Sequence, residues 1–133
     1  LKLTTKSIYA ILALVYIARH QGGGFVRVED ISHVYDISQK YLNQLLGGLK
    51  GVQYLTAKRG VGGGYRLGKA AEEISLAEII RLMDGALAPV ESVSLYHYGQ
   101  TPLEKEPKVV RVFKEIRDYV AEKLENITLA DLV

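Results

Sequence analysis

Between Lys58 and Leu67 the chain reads K-R-G-V-G-G-G-Y-R-L, four glycines in five residues behind two basic side chains. Glycine lets backbone amides approach a phosphate closely, because no Cβ holds the chain away. Two nucleotide motifs come near, and each lacks a residue it needs. A dinucleotide fingerprint G-x-G-x-x-G requires glycine at position 65 after Gly60 and Gly62, and Tyr65 stands there with no helix opening behind it. A phosphate loop G-x-x-x-x-G-K-[ST] is matched at Gly63, Gly68 and Lys69, but Ala70 has no hydroxyl for magnesium. The third reading is a hairpin wing whose glycines lie flat on a sugar-phosphate backbone. Arg59 at its edge then suits a narrow minor groove, where the negative potential is strongest.

Other chemistry is scarce. With no cysteine there is no disulfide, thiolate metal site or thiol nucleophile. The three histidines are scattered and no motif pairs two carboxylates, so no catalytic constellation is present and the reading is not an enzyme.

The elements around the glycine stretch strengthen the wing. Val28 to about Tyr35 reads as a short helix with Glu29 and Asp30 in its acidic first turn. Asp36-Ile37 makes a turn, and Ser38 caps the next helix. There Ile37, Leu42, Leu45, Leu46 and Leu49 share one face, while Gln39, Lys40, Asn43 and Gln44 lie on the other. Two short helices, a tight turn and an amide-rich outer face make a helix-turn-helix pattern. Tyr54–Thr56 and Tyr65–Leu67 read as the strands of a hairpin with its tip at Lys58–Gly64. Upstream, a helix from Thr4 or Thr5 to about His20 is apolar on nearly every face, so it should be enclosed on all sides. Downstream, Ile74 to Met83 forms an amphipathic helix with Ser75 as cap. Residues 85–107 read as loop. Val109, Val112, Phe113, Ile116, Val120 and Leu124 then recur at helical spacing, a stripe for which a twin helix in a dimer is the simplest partner.

Charge divides along the same line. Residues 1–70 hold ten Lys or Arg against three acids, a net of +7, and residues 71–133 hold seven against twelve, a net of −5. A polyanion-binding half and a second half with another role are expected. Across 133 residues, 48% apolar and 24% charged content is that of a globular chain with a real core. The longest apolar run, Ile8–Ala18, falls short of the roughly 20 residues of a membrane span. No signal peptide is expected, and the location expected is cytoplasmic.

Motifs across almost the whole chain resemble one family. They are the opening Leu-Lys-Leu-Thr-Thr-Lys-Ser-Ile-Tyr-Ala, the Ile37-Ser38, Tyr41-Leu42 and Gln44-Leu45 pairs, and Arg59-Gly60-x-Gly62-Gly63-Gly64-Tyr65. Ile74-Ser75-Leu76 with Glu78-Ile79-Ile80, Leu87–Val90 and Asn126–Leu132 complete the set. Together they are similar to the winged-helix bacterial regulators of the IscR/NsrR/CymR family. The resemblance implies a homodimer on a palindromic operator, with recognition helices in the major groove, wings in the minor groove and the C-terminal helix crossing to the partner. It places Lys40, Asn43 and Gln44 at base-facing positions, and Arg59, Gly60, Gly62 and Gly63 at the minor groove. Lys6, Ser38 and Tyr41 become backbone contacts. Asn43 and Gln44 can each pair bidentately with adenine, and Lys40 can reach guanine.

The chain departs from the family pattern twice. Gly47-Gly48 stands where the recognition helix should be finishing, so early fraying is expected at roughly 1 kcal/mol per glycine. Cluster-binding relatives carry three cysteines in the loop after Ala88-Pro89-Val90, which would hold a 2Fe–2S cluster. Here Ser92 stands near the first of these positions, so no cofactor is expected, and His97 reads as an exposed or hydrogen-bonding histidine.

The fold expected is mainly α with a small β-hairpin. Residues 1–84 form a winged helix-turn-helix domain, 85–107 a sensor-type loop without cysteine, and 108–133 a dimerisation helix and tail. The function expected is a repressor binding double-stranded DNA as a homodimer. The alternatives are a phosphate-loop nucleotide-binding protein built on Gly63–Lys69, and a regulator acting mainly through a protein partner. Beside DNA and a second copy, a metabolic enzyme or small-molecule effector is the further partner expected.

Overall fold

The computed structural model describes residues 2–85, 87 and 101–133. It is mainly helical, with five α-helices and one two-stranded antiparallel hairpin among the described residues. The chain forms two compact units, each built from two separate stretches. One comprises Ile8–Ile74 with Thr128–Val133, and the other Leu1–Ser7 with Ser75–Ile127.

The first unit holds most of α1 (Thr5–His20), α2 (Val28–Tyr35), α3 (Gln39–Gly51) and the hairpin of β1 (Leu55–Lys58) and β2 (Gly64–Leu67). Although α1 is apolar all round, a single stripe at helical spacing is buried: Ala10, Ala13, Leu14 and Ile17. Its remaining apolar side chains are half-buried and Ile8 is exposed, so the chain by itself does not enclose the helix on every side. The stripe joins a core with Val28 and Ile31 of α2, Leu42, Leu45, Leu46 and Leu49 of α3, and Leu55 of β1. Leu129 completes it from the C-terminal tail. Its amide donates to the Ile74 carbonyl at 3.0 Å, and the Arg19 guanidinium donates to the Leu132 carbonyl at 3.1 Å. Thr128 and Asp131 shape that tail as a reciprocal cap on the short 3-10 turn Leu129–Leu132.

Contrary to the expected early fraying, α3 runs through both glycines to Gly51. Leu46 and Leu49 on either side of Gly47-Gly48 are fully buried. Their anchorage outweighs the low helix propensity of the pair, because tertiary packing routinely overrides propensity.

The second unit carries α4 (Leu76–Asp84), capped by Ser75 Oγ accepting from the Glu78 amide at 3.1 Å, and α5 (Pro107–Glu125). These two helices pack together, with Arg81 paired to Glu125 at 2.5 Å. Within residues 85–107, read from sequence as loop, Pro102–Lys105 forms a 3-10 turn. Thr101 Oγ1 starts it by accepting from the Leu103 amide at 3.3 Å, and Pro102 presets its first position. At the start of the unit the Asp84 carboxylate accepts from both the amide and the hydroxyl of Thr4. Burial pushes this carboxyl up, but the Ser7 hydroxyl beside it, the hydrogen bonds from Thr4 and the charge of Lys6 outweigh it. The net result lies below the ordinary carboxylate value.

Candidate nucleic-acid interface

The turn between α2 and α3 is held by its own side chains. Asp36 takes the left-handed conformation at φ 54°, which a short polar residue tolerates better than most. The Ile37 amide donates back to the Ser32 carbonyl, and the Ser32 hydroxyl donates forward to the Ile37 carbonyl. Ser38 Oγ then caps α3 by accepting from the Tyr41 amide at 3.3 Å, and the Tyr41 ring meets Tyr9 edge-on at 5.7 Å. With the leucine face of α3 buried, Gln39, Lys40, Asn43, Gln44 and Gly47 are left exposed along the other side.

The hairpin pairs Leu55 with Leu67, Thr56 with Arg66, Ala57 with Tyr65 and Lys58 with Gly64. A single bridge from Val26 to Tyr65 adds a third edge, with the two backbones exchanging bonds of 2.7 and 2.8 Å. Gly64 is required there, since a Cβ would lie 2.2 Å from the Val26 carbonyl oxygen. At the tip the Gly63 amide donates to the Gly60 carbonyl at 3.0 Å, and a Cβ on Gly63 would lie 2.2 Å from the Lys58 carbonyl oxygen. Gly63 is accordingly buried and shapes the turn from within, whereas Arg59, Gly60 and Gly62 are exposed. The Gln21 side chain fastens the far end of the hairpin, its Oε1 accepting from the Leu67 amide at 2.8 Å.

These pieces converge on one cleft of about 300 Å³. Asn43 lines it from α3, Lys58, Gly60, Gly63 and Gly64 from the hairpin, and Arg27, Val28 and Glu29 from the start of α2. Arg27 pairs with Asp30 at 3.1 Å, and that hydrogen bond with the charges of Asp30 and Glu29 holds its guanidinium above the ordinary value. Two cations of the hairpin flank Phe25, Arg66 at 4.8 Å and Lys58 at 5.9 Å from the ring centroid. Sequence reading missed Arg27 and Phe25, because a two-residue lead into α2 is too short to show any alternation.

The remaining site residues fall elsewhere. Lys6 is exposed and belongs to the other unit, beside Asp84. Of the stripe on α5, Val109, Val112 and Ile116 are exposed, and Phe113, Val120 and Leu124 are half-buried. Tyr119, which the stripe did not include, is 72% exposed in line with the first group. Ser92 and His97 lie outside the described residues.

The phosphate-loop reading of Gly63–Lys69 fails on geometry, because Gly64–Leu67 is an extended strand paired along its length. A phosphate loop must instead curl its amides around a phosphate and open into a helix.

Comparison with known proteins agrees with this architecture. A family model described as "Rrf2: Iron-dependent Transcriptional regulator" matches residues 3–133. The chain belongs to the Rrf2 family. The transcriptional regulator CymR of Bacillus subtilis is 31% identical over 132 residues, covering 99% of this chain and 89% of that protein. An IscR regulator of Pectobacterium carotovorum is 34% identical over 136 residues, covering 100% of this chain and 79% of its own. Among solved structures, B. subtilis CymR, described as the global cysteine regulator, superposes with a TM-score of 0.85 at 31% identity, covering 99% of this chain and 95% of that one. T. potens IscR superposes at 0.75 with 29% identity, covering 99% and 85%. This Rrf2 chain is thus a winged-helix, DNA-binding transcriptional regulator and not an enzyme. No helix among the described residues is long and apolar enough to cross a membrane.

The iron in the family description finds no thiolate here. The chain has no cysteine, and no three His, Asp or Glu side chains gather among the described residues. The donor set therefore does not fit an iron–sulfur cluster held by cysteine.

Proposed function

We propose that this Rrf2 member is a repressor that occupies a palindromic operator as a homodimer. Each α3 enters a major groove with Lys40, Asn43 and Gln44 toward base edges, and each wing places Arg59 in the neighbouring minor groove. Lys6, Ser38 and Tyr41 contact the phosphate backbone. The observation that carries this reading is the shared cleft, in which Asn43 of α3 stands with Lys58, Gly60 and Gly63 of the hairpin. A recognition helix and a wing that border one cleft can straddle a single phosphate strand between two grooves.

The dimer is supported by α5, where Val109, Val112, Ile116 and Tyr119 fall at helical spacing and stay exposed, at 39, 53, 42 and 72%. Their twins on a second copy are the partner proposed. Half-sites then lie about one helical turn, roughly 34 Å, apart or a multiple of it. Regulation falls to a small-molecule or protein effector and not to a cysteine-held cluster, so the anaerobically purified protein should be colourless.

The test is selection of bound duplexes from a random or genomic pool, followed by binding at several salt concentrations. A palindromic consensus and a steep salt slope are expected. Arg59→Ala should weaken binding about ten- to hundredfold and lower the slope by about one. Tight magnesium-dependent nucleotide binding without DNA affinity would overturn the reading.

A further inference from the structure

The tip of the wing carries a residue with no use in the fold. Val61 lies between Gly60 and Gly62, whose φ angles are +88° and +74°, and its relative exposure is 102%. Turn tips ordinarily take Gly, Asn, Asp, Ser or Pro, each for a backbone or hydrogen-bonding reason that valine does not share. A β-branched apolar side chain gains nothing from full solvation. Here it stands two residues after Arg59, on the same exposed turn.

We infer that Val61 is a specificity-determining residue of the wing, an apolar wedge that accepts A·T pairs in the minor groove and rejects G·C. The inference rests on the DNA-binding reading above, with the wing in the minor groove. In that groove A·T and T·A show only acceptors, and G·C adds the guanine 2-amino group, which stands up from the floor. An isopropyl group pressed there has no acceptor for that N–H, so a G·C pair meets both a steric obstacle and an unpaired donor. Other minor-groove binders also bring apolar side chains into this groove, where they wedge between base steps. Arg59 supplies attraction to the groove, and its long side chain can move around the amino group. Val61 has one rotatable bond and is carried on a turn whose Gly60 and Gly63 are hydrogen-bonded to each other at 3.0 Å.

The experiment uses the full chain and its selected operator, with the base pairs beneath the wing located by hydroxyl-radical footprinting. Two base analogues isolate the amino group without altering the major groove. Diaminopurine opposite thymine adds it to an A·T pair, and inosine opposite cytosine removes it from a G·C pair. Diaminopurine should weaken wild-type binding about tenfold, in the range of one mismatched pair, and inosine in place of guanine should recover that loss. In Val61→Ala, which removes no buried contact and should keep its circular dichroism spectrum, both effects should shrink to about twofold or less with the salt slope unchanged. An undiminished response in Val61→Ala, or no response in a wild type that binds its operator, overturns the inference alone. Failure of the wild type to bind any selected duplex overturns the DNA-binding reading and the inference with it.

Discussion

Gly64 shows how one side chain, or its lack, decides a local structure. Its φ of +142° and the 2.2 Å approach of a built Cβ to the Val26 carbonyl oxygen leave no room for alanine. Gly64→Ala should therefore destabilise the protein by about 2–4 kcal/mol, read as a lower midpoint in urea unfolding. The glycines that suggested phosphate chemistry are thus partly structural, and Gly63 turns its amide inward. Their number was legible in the sequence, but their division into shaping and exposed residues was not, because that depends on Val26 and Lys58 carbonyls that no motif contains. Asp84 is a second case. Its carboxyl lies below the ordinary 3.8 in the folded chain, so the ionised form stabilises the fold above that value. The contribution is lost as pH falls through the lowered folded value. Unfolding of wild type and Asp84→Asn should thus differ most near neutrality and converge in acid below pH 3.8.

Among the elements, α3 best separates local from tertiary causes. Its cap, its leucine face and its amide-rich outer face follow from Ser38 and a helical period, and all could be read in order. Its length could not, since Gly47-Gly48 argues for an early end and the buried Leu46 and Leu49 argue against one. A Cβ at Gly48 would meet nothing within 4 Å. Gly48→Ala should accordingly stabilise the protein by about 0.4–1 kcal/mol, measured as a raised unfolding midpoint. The helix α1 teaches the converse, being apolar on nearly every face in sequence yet buried on one. Hydrophobicity sets which residues can be buried, and neighbours set which are.

For the whole molecule the expected state is a dimer, and α5 is where it should fail. None of its residues is buried in the single chain, and one line of apolar side chains faces outward. Ile116→Asp would place a charge in the middle of that line, where burial against a twin would leave it unpaired. Sedimentation should show a monomer, with at least a hundredfold weaker binding to the full palindrome and a residual affinity for isolated half-sites. A dimer that persists in Ile116→Asp would remove α5 from the interface. The chain also returns on itself, since Thr128–Val133 closes the core of the unit that holds α2, α3 and the hairpin. The closing motif is plain in sequence, but its destination is not.

The sequence by itself determined the helix-turn-helix, the hairpin after it, the division of charge and the absence of any thiolate ligand. Each of these follows from residue types within about one element, through caps, periodicity, turn chemistry and composition. Only the tertiary structure decided that Asn43 shares a cleft with the wing, that Phe25 lies beside Arg66 and Lys58, and that Val61 at the tip is fully exposed. It also decided that the stripe of α5 splits into half-buried and outward residues. These depend on contacts between segments tens of residues apart, which form only when the core closes and carry no signature in any local window.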